Sequence, residues 1–327
     1  MTRRVFISSV SAGYMFAVNA TINAAKHFGT DAEFHLLYRP GEIPPDYMEA
    51  VSKESGVKVL WIESTPYGVS YNIPKYGYAA SLADKCDAVC LIDADLFVCT
   101  NVNEHFENAE KGLFTTAGHM HAGGILDYLD FANPAAIGDR SKCQLADFPV
   151  FADPTKHEAF FKYWHTHVIQ LGTEYDHPLI VMNRSVAMHF KKEQVICLDG
   201  HHWVADLRFW EMPYTYTAKD MMLFDLEGRV YACHNKWWKE GRAAAEIIAS
   251  YQQRHPDYMA QFTESIKRGT DNFNTIVDLM KQYVALNPKI AWPCELKGPI
   301  EHRKIWEWWL SLPEGQAFAA TRKDAYD

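Results

Sequence analysis

The sequence predicts an α/β protein whose mainly parallel central sheet is flanked by helices. Three observations support this prediction: strand and helix signals alternate over the first hundred residues, an unbroken apolar run spans 88–92, and helical periodicity dominates beyond residue 242. Strands that alternate with helices at this spacing form βαβ units, whose neighbouring strands are parallel. With 327 residues, the chain is long enough for one large α/β domain with an appended part.

The first strand–helix–strand unit covers residues 5–38. A β-rich run over 5–10 ends in the small residues 11–13. Apolar residues then recur at helical spacing over 15–28, and Gly29 ends this predicted helix. A second strand is predicted at 34–38, where the tripeptide RPG at 39–41 breaks it.

The same alternation continues to residue 92. The pattern predicts a short helix at 44–55, a third strand at 57–62 and a helix at 75–85. The sequence AVCLI at 88–92 is apolar without interruption, which is typical of a central strand covered on both faces.

Beyond residue 100 the signals are weaker. Strands are predicted at 113–117 and 146–151, an amphipathic helix at 155–171, and short strands within 195–235. Helices are predicted at 242–254, 256–268, 272–286 and 300–311. We therefore expect a main domain at 1–240, with a first half at 1–105 and a second half at 106–240, and a helical C-terminal subdomain at 241–327.

Composition and charge restrict the class of partner. The chain is 48% apolar and 22% charged, as globular proteins are, and its formal net charge is −9. This charge argues against nucleic-acid binding over the whole surface. Residues 101–228 hold 10 Lys and Arg against 18 Asp and Glu, whereas residues 229–305 hold 12 against 8. The later segment, with a balance of +4, is the part suited to an anion.

The cysteines and the N-terminus indicate the compartment. Seven cysteines are scattered without a CxxC motif, which favours free thiols in a reducing environment. No signal-peptide pattern and no apolar stretch of about 18 residues is present, so we expect a cytoplasmic protein with no membrane span.

The most informative motif is the acidic pair Asp93 and Asp95 in the sequence LIDADLFV at 91–98. Carboxylates at positions i and i+2 of an extended chain project to the same side. They follow an apolar strand, at the sheet edge where open α/β folds bind ligands. Two such anions repel each other unless a cation lies between them, and oxygen ligands suit Mg²⁺ or Mn²⁺. The alternative, a strand-to-loop turn with solvated carboxylates, stays open at this point.

A third metal ligand is predicted far downstream. Residues 229–233 read as a strand, and His234 follows it, so its imidazole can complete an Asp/Asp site. Lys236, Lys239 and Arg242 come next and form a basic cluster suited to a diphosphate. The alternative for His234 is a core histidine beside Trp237 and Trp238.

These motifs together resemble a known enzyme group. The strand that runs into a small-residue loop at 8–14, Lys75 ahead of the acidic pair, the DAD at 93–95 and the run HNKWWK at 234–239 resemble GT-A-fold glycosyltransferases. The group most similar is the glycogenin-like and lipopolysaccharide-galactosyltransferase-like (GT8-type) one. The resemblance is good over 1–105, thin over 106–240 and absent beyond; the run 234–239 lacks the Gly and Pro of the group's late motif.

The resemblance implies roles for individual residues. It implies that Tyr14 stacks near the nucleobase and that the donor is held by the residues Ser8, Ser9, Tyr14, Lys75, Asp93, Lys236 and Lys239. It implies a metal bound by Asp93, Asp95 and His234. It also implies an acidic residue near the anomeric carbon, for which Asp176 is the candidate and Asp147 a weaker one. Asp176 would be a general base in an inverting enzyme, or would stabilise the oxocarbenium-like centre in a retaining one.

The predicted function is therefore metal-dependent transfer of a sugar from a nucleotide-sugar, with UDP-sugar preferred, to an unidentified hydroxyl. A glycan is the preferred acceptor, and a modified DNA base stays open. The alternatives are an aspartate-nucleophile phosphatase, a nucleotidyltransferase and a non-catalytic carbohydrate-binding protein. Phe97 stands where the phosphatase motif has Thr or Val, and residues 8–13 lack the Arg-containing phosphate loop of nucleotidyltransferases.

Overall fold

A central seven-stranded sheet organises the protein. The computed structural model describes residues 2–64, 73–118, 129–138, 143, 145–171, 177–203, 215–234, 249, 252–260 and 263–291. Within these ranges the sheet contains β1 (Arg4–Ser9), β2 (Glu33–Tyr38), β3 (Val59–Glu63), β4 (Ala88–Asp93), β6 (Phe114–Gly118), β7 (Leu145–Ala152) and β8 (Val195–Leu198).

The strand order shows how the sheet is built. The strands lie in the order β3-β2-β1-β4-β7-β6-β8. Every neighbouring pair is parallel except the two that involve β7, which runs antiparallel to both β4 and β6. This is the α/β architecture with a mainly parallel central sheet that the sequence predicts, and the prediction is confirmed.

Two smaller sheets lie beside the central one. A strand directly after β4, β5 (Leu96–Val98), pairs antiparallel with β12 (Ala232–His234). A three-stranded antiparallel sheet consists of β9 (Thr217–Lys219), β10 (Met222–Phe224) and β11 (Arg229–Val230). The short strands expected within 195–235 are thus present.

Helices cover both faces of the central sheet. The described helices are α1 (Met15–His27), α2 (Pro45–Glu54), α3 (Ile73–Ser81), α4 (Asn103–Glu110), α5 (Glu158–Leu171), α6 (His177–His189), α7 (Gly200–Trp203), α8 (Pro256–Ala260) and α9 (Thr263–Ala285). One face packs against α1, α2 and α4 and the other against α3, α5 and α6. All six residues of β4 are buried, as its apolar sequence predicts.

The first two helices begin and end within one residue of their predicted bounds, whereas α3 spans Ile73–Ser81 and not the predicted 75–85. Gly29 ends α1 with a φ of 68°, a left-handed conformation that glycine adopts without steric cost. Pro45 begins α2, where its missing N–H removes no intrahelical bond. Such local signals are enough to place the ends of these two helices, because the short helices of βαβ units begin and end at turn residues such as Gly and Pro.

Helix α9 differs from the prediction. An interruption was expected between 268 and 272, yet one helix runs through Gly269 to residue 285, so this prediction is wrong. The buried side chains Phe273, Ile276, Met280 and Tyr283 share a hydrophobic cluster with residues of α1. Burial of this face outweighs the roughly 1 kcal/mol that an interior glycine costs a helix.

Helix α6 has no counterpart among the predicted elements. Its buried residues Val181, Met182 and Val186 pack in the core beneath the sheet. The buried Asn183 side chain accepts a hydrogen bond from the Leu145 amide at 2.9 Å and donates one to the Leu145 carbonyl at 2.8 Å. Tertiary contacts with β7 therefore stabilise a segment whose β-branched residues weaken the local helical signal.

Three further predictions concern the C-terminal helices, the cysteines and a membrane span. The helices expected at 242–254 and 300–311 lie outside the described residues, apart from isolated positions of the first, and the division at residue 240 stays a prediction. The cysteines of the described part are free thiols, and all but the half-buried Cys197 are buried. In that part of the chain no helix is both long enough and apolar enough to cross a bilayer.

Candidate metal and donor site

The acidic pair lies at the carboxyl edge of the central sheet. Asp93 is the last residue of β4, and Asp95 lies in the tight turn between β4 and β5. The neighbouring strand β1 ends in register with them, since Ser8 is opposite Ile92 and Ser9 is opposite Asp93. The sequence signals for β1 and β4 therefore place two predicted donor-binding serines beside the acidic pair.

His234 reaches this edge through the pairing of two short strands. β12 runs antiparallel to β5 with His234 opposite Leu96, one residue from Asp95. The His234 Nε2 atom lies 3.1 Å from Oδ1 of Asp95. One ligand atom from each of Asp93, Asp95 and His234 can be chosen so that all three lie within 4.8 Å of one another. The structure thus brings the three predicted metal ligands together across 139 residues of sequence.

Lys75 is the cation of this group. It lies in the first turn of α3, its side chain is fully buried, and its ammonium forms an ion pair with Oδ1 of Asp93. The ammonium nitrogen also lies 5.6 Å from the ring centroids of both Tyr76 and Phe148. A charge that is fully removed from water requires such a partner. The predicted donor-binding lysine is therefore next to the acidic pair.

Asp147, the weaker of the two acidic candidates in the sequence, adds a third carboxylate near the pair. It lies on β7, one residue before Phe148, whose ring centroid is 4.9 Å from that of His234. Burial raises the pKa of Asp147 from 3.8 to about 6, and the negative charge of Asp93 contributes to this shift while Lys75 opposes it. The antiparallel register of β4 and β7, which brings Val150 opposite Leu91, leads residues 147 and 148 toward Asp93.

The electrostatics of the pair are asymmetric. Burial raises the pKa of Asp93, an effect that Asp95 reinforces and Lys75 opposes. For Asp95, burial also acts to raise the pKa, but the charge and hydrogen bond of His234 outweigh it and leave the pKa lowered. Three carboxylates thus share one lysine and one histidine. A cluster of this kind gains stability from an additional cation.

The donor set fits a hard divalent metal. The two carboxylates, at the end of β4 and in the turn that follows it, and the imidazole on β12 match the ligands that Mn²⁺ and Mg²⁺ accept, with further positions left for ligands from a substrate. Soft thiolate ligands are not part of the group. A structural zinc site would require four protein ligands in a closed arrangement. The residues present therefore fit an open Mn²⁺ or Mg²⁺ site.

Other predicted donor contacts are partly described. Ser8 and Ser9 are buried, and neither hydroxyl oxygen has a hydrogen-bond partner among the described residues. Ser8 lines a small cavity with Val18, Thr21 and Asp93. Tyr14 ends the single turn of 3₁₀-helix, Ala12–Tyr14, that joins β1 to α1. Their roles in donor binding stay predictions.

Three predicted site residues lie outside the described part of the chain: Asp176, Lys236 and Lys239. Their assignment as catalytic or diphosphate-binding residues stays a prediction.

A larger cavity lies elsewhere. About 520 Å³ of space opens between the ends of β2 and β3 and the helices α3 and α5, lined among others by Leu37, Ile62, Tyr78 and Lys162. None of its lining residues belongs to the acidic cluster. The candidate site is therefore distinguished by its charged groups and not by this cavity.

Comparisons with known proteins return structures only. No protein-family model matches the sequence. No curated protein matches it either. The glycosyltransferase GlyE of Streptococcus pneumoniae TIGR4 is similar at 13% identity and a TM-score of 0.41, over 61% of this chain and 46% of that one. The bifunctional glycosyltransferase WbbM is similar at 13% identity and a TM-score of 0.42, over 62% and 40%.

A third structure is similar over most of its own length. The galactosyltransferase LgtC, in complex with donor and acceptor sugar analogues, is similar at 13% identity and a TM-score of 0.45, over 80% of this chain and 95% of that one. The chain spans less than half the length of GlyE and WbbM. At these identities and TM-scores the likeness supports no assignment of activity, which depends on the chain's own residues.

Proposed function

We propose that this protein is a metal-dependent glycosyltransferase that transfers a sugar from a nucleotide-sugar, preferably a UDP-sugar, to a hydroxyl acceptor. The observation that supports this most directly is the convergence of Asp93, Asp95 and His234, from two separate parts of the chain, at one edge of the sheet. Lys75 and the carboxyl end of β1 lie next to these three residues.

The bound metal would be Mn²⁺ or Mg²⁺, held by Asp93, Asp95 and His234. When bound, the cation supplies positive charge that stabilises a departing diphosphate, without redox chemistry. Each protein ligand serves this role through its own chemistry: the carboxylates provide hard oxygens, and the imidazole is oriented by its position on β12.

The residues around the metal ligands would then handle the donor. Lys75 offers a buried ammonium to a phosphate oxygen, an interaction that is strong because the lysine is excluded from water. The hydroxyls of Ser8 and Ser9 are available at the end of β1 for the donor. Phe148 and Tyr76 provide apolar surface next to Lys75, which limits the access of water to the reacting bond.

Asp147 is the described carboxylate best suited to contact the transferred sugar. It lies within electrostatic range of Asp93, Lys75 and His234, so it belongs to the same site. A carboxylate can accept hydrogen bonds from two sugar hydroxyls. Asp176 stays our proposed catalytic residue, as the resemblance implies, with the role of a base or of a stabilising anion according to whether the reaction inverts or retains configuration.

The acceptor is proposed on charge. A glycan or another small neutral hydroxyl compound agrees best with a net charge of −9. A nucleic-acid acceptor would require the basic segment 229–305, because the preceding segment 101–228 has a balance of −8 and would repel phosphates. The affinity for duplex DNA would then fall with salt, with a slope of log affinity against log salt of about −0.9 per phosphate engaged.

The decisive experiment is a screen of donor hydrolysis. The purified chain is incubated with UDP-, GDP- and CMP-sugars in the presence of Mn²⁺, and release of the nucleotide is measured. We expect one nucleotide class to be consumed, complete inhibition by EDTA, and recovery when Mn²⁺ or Mg²⁺ is added in excess. Turnover that is unchanged in EDTA would contradict the metal site, and release of phosphate from simple monoesters would favour the phosphatase alternative.

The acceptor is tested with the donor that the screen identifies. Transfer is measured to neutral oligosaccharides and to short DNA duplexes at two salt concentrations. Transfer to the oligosaccharide that does not change with salt supports the proposal. Salt-sensitive DNA binding that is lost on charge reversal of Arg242 and Arg254 would replace the glycan with a nucleic acid.

A further inference from the structure

The buried ammonium of Lys75 and a divalent cation would seek the same oxygen atoms. Lys75 is fully buried and forms its ion pair with Oδ1 of Asp93, one of the three metal ligands. Its ammonium also lies near the rings of Tyr76 and Phe148, and it acts on Asp95 and Asp147 at longer range. Asp93, the carboxylate in direct contact, is therefore the principal counter-charge of the lysine.

Two positive charges at one carboxylate repel each other strongly. Like charges that share one carboxylate lie only a few ångströms apart, and a divalent ion repels the ammonium twice as strongly as a monovalent one would. A metal on Asp93 would therefore weaken the ion pair with Lys75. A lysine that leaves Asp93 then needs another anion, because an unpaired ammonium is costly in a buried place.

We propose that Lys75 is a built-in counter-cation of Asp93 that metal binding displaces, and that the donor diphosphate receives the displaced ammonium. This inference rests on the proposed function, since it assumes that Asp93 and Asp95 bind the metal and that a diphosphate is the ligand. It gives the lysine two alternating partners, Asp93 in the free protein and a phosphate oxygen in the loaded one.

The consequence is cooperative binding of metal and diphosphate. Without the diphosphate, the metal competes with Lys75 for Asp93, so its affinity is reduced. With the diphosphate present, Lys75 has a new partner and the competition ends. Because binding free energies are reciprocal, the metal must raise the affinity for the diphosphate by the same factor. The site therefore binds metal and diphosphate together with higher affinity than it binds the metal alone.

The test measures Mn²⁺ affinity without turnover. Titration of Mn²⁺, followed by the loss of its free electron-paramagnetic-resonance signal, is carried out with and without UDP on the parent chain and on Lys75→Met. We expect Lys75→Met to bind Mn²⁺ alone about tenfold or more tightly than the parent, because one repelling charge is gone. We expect UDP to improve Mn²⁺ affinity much less in Lys75→Met than in the parent.

A matched control separates this effect from general charge removal. Lys58 also pairs with a buried carboxylate: its ammonium lies 2.5 Å from Glu33, at the start of β2 and away from the acidic cluster. Lys58→Met should leave Mn²⁺ affinity within about twofold of the parent, since the two sites share no group. A gain in Lys58→Met equal to that in Lys75→Met would contradict a specific role for Lys75.

The outcomes distinguish the inference from the proposed function. If the parent binds no Mn²⁺, or if Asp95→Asn binds it as well as the parent, the metal site itself is wrong. If the parent binds Mn²⁺ through Asp95 while Lys75→Met binds it equally or more weakly, only the inference is overturned.

A folding defect would also be informative. Lys75→Gln, whose amide can donate to Asp93, is the second variant if Lys75→Met is unstable. Should neither fold in EDTA, folding on addition of Mn²⁺ is the expected result, because the metal then replaces the missing charge. Variants that stay unfolded in saturating Mn²⁺ would overturn the inference.

Discussion

Two charged clusters among the described residues each contain a buried carboxylate, and they are balanced differently. The first lies at the start of β2. There the Glu33 carboxylate lies 2.5 Å from Nε of Arg3, 2.5 Å from Nζ of Lys58 and 3.0 Å from Nε2 of His35. The second is the candidate site, where three carboxylates share Lys75 and His234. The first has one carboxylate for two full cations, and the second has three carboxylates for one.

The pKa values of the two clusters reflect this difference. In the first, burial acts to raise the pKa of Glu33, but hydrogen bonds from Lys58 and Arg3 outweigh it and leave the pKa lowered. Burial lowers the pKa of His35, whose other ring nitrogen lies 2.8 Å from the Tyr78 hydroxyl. In the second, burial and mutual repulsion raise the pKa of both Asp93 and Asp147.

The comparison separates a structural cluster from a binding site. A buried charge that has its partners within the chain contributes to the fold alone. A buried group of like charges that lacks enough partners is unfavourable by itself, and a fold that retains it does so because a ligand completes it. The first cluster has an excess of cations from the chain itself, whereas the second is the one that the metal we propose would complete.

The largest expected effect is loss of activity without loss of fold. Asp95→Asn removes a metal ligand and should lower sugar transfer by at least about a thousandfold, because the metal contributes several kcal/mol to the transition state. Circular dichroism and the melting temperature measured in EDTA should be close to those of the parent. Glu33→Gln, in the first cluster, is the matched control and should keep Mn²⁺ binding. Equal transfer by Asp95→Asn and the parent would contradict the comparison.

Much of the site was predictable because its signals are local. The apolar strand before Asp93 and the i, i+2 spacing to Asp95 predict both the edge position and the shared direction of the carboxylates. A strand at 229–233 directly before His234 is predicted for the same reason, although the structure divides this segment into β11 (Arg229–Val230) and β12 (Ala232–His234). What no local signal gives is that β12 pairs with β5, which fixes the distance between His234 and Asp95.

Asp147 and α6 were harder to predict because tertiary packing determines them. Asp147 joins the site only through the antiparallel register of β7 against β4, which a sequence that alternates strands and helices does not indicate. Helix α6 depends on the buried Asn183 and its bonds to Leu145. Long-range contacts also explain the uninterrupted α9, whose apolar face packs against α1.

The second expected effect is on stability and concerns the first cluster. Glu33→Gln leaves Arg3, Lys58 and His35 without their shared carboxylate. We expect a loss of about 2–3 kcal/mol in the free energy of unfolding, within the range for hydrogen bonds to charged groups. Chemical denaturation measures it, with the exposed Glu49→Gln as control, which should leave the free energy of unfolding unchanged within the error of the measurement. If Glu33→Gln does not change the free energy of unfolding, this cluster is not structural.

The third effect sharpens the assignment of the metal ligands. His234→Gln keeps the size of the side chain but removes the imidazole, so Mn²⁺ affinity should fall by about 10- to 100-fold. His202→Gln is the matched control, because that imidazole lies beside Asp199 at 2.7 Å and outside the acidic cluster. Calorimetric titration with Mn²⁺ measures both. Affinity that falls equally in the two variants would indicate an indirect effect on folding.

The smallest effect concerns Asp147 and has a sign set by pH. Because the pKa of Asp147 is raised from 3.8 to about 6, the folded chain holds this proton more tightly than the unfolded chain does. Its ionisation therefore costs stability progressively as pH rises from about 4 to about 6, and the full cost persists above that range. Asp147→Asn removes the cost, so in EDTA the variant should exceed the parent by about 2 kcal/mol at pH 7.5 and equal it near pH 4.

Saturating Mn²⁺ should erase or reverse this gain in stability, because the cation compensates the three carboxylates of the parent. Sugar transfer by Asp147→Asn should fall, although the variant is more stable than the parent in EDTA. Asp278→Asn, at an exposed position on α9, controls for the loss of a surface charge and should show no such dependence on Mn²⁺. Urea denaturation at pH 4 and pH 7.5, with EDTA and with Mn²⁺, measures all of these values. A variant that is less stable than the parent at pH 7.5 in EDTA would mean that Asp147 is already compensated within the chain. In that case the second cluster would resemble the first, and the contrast between a structural cluster and a binding site would no longer include Asp147.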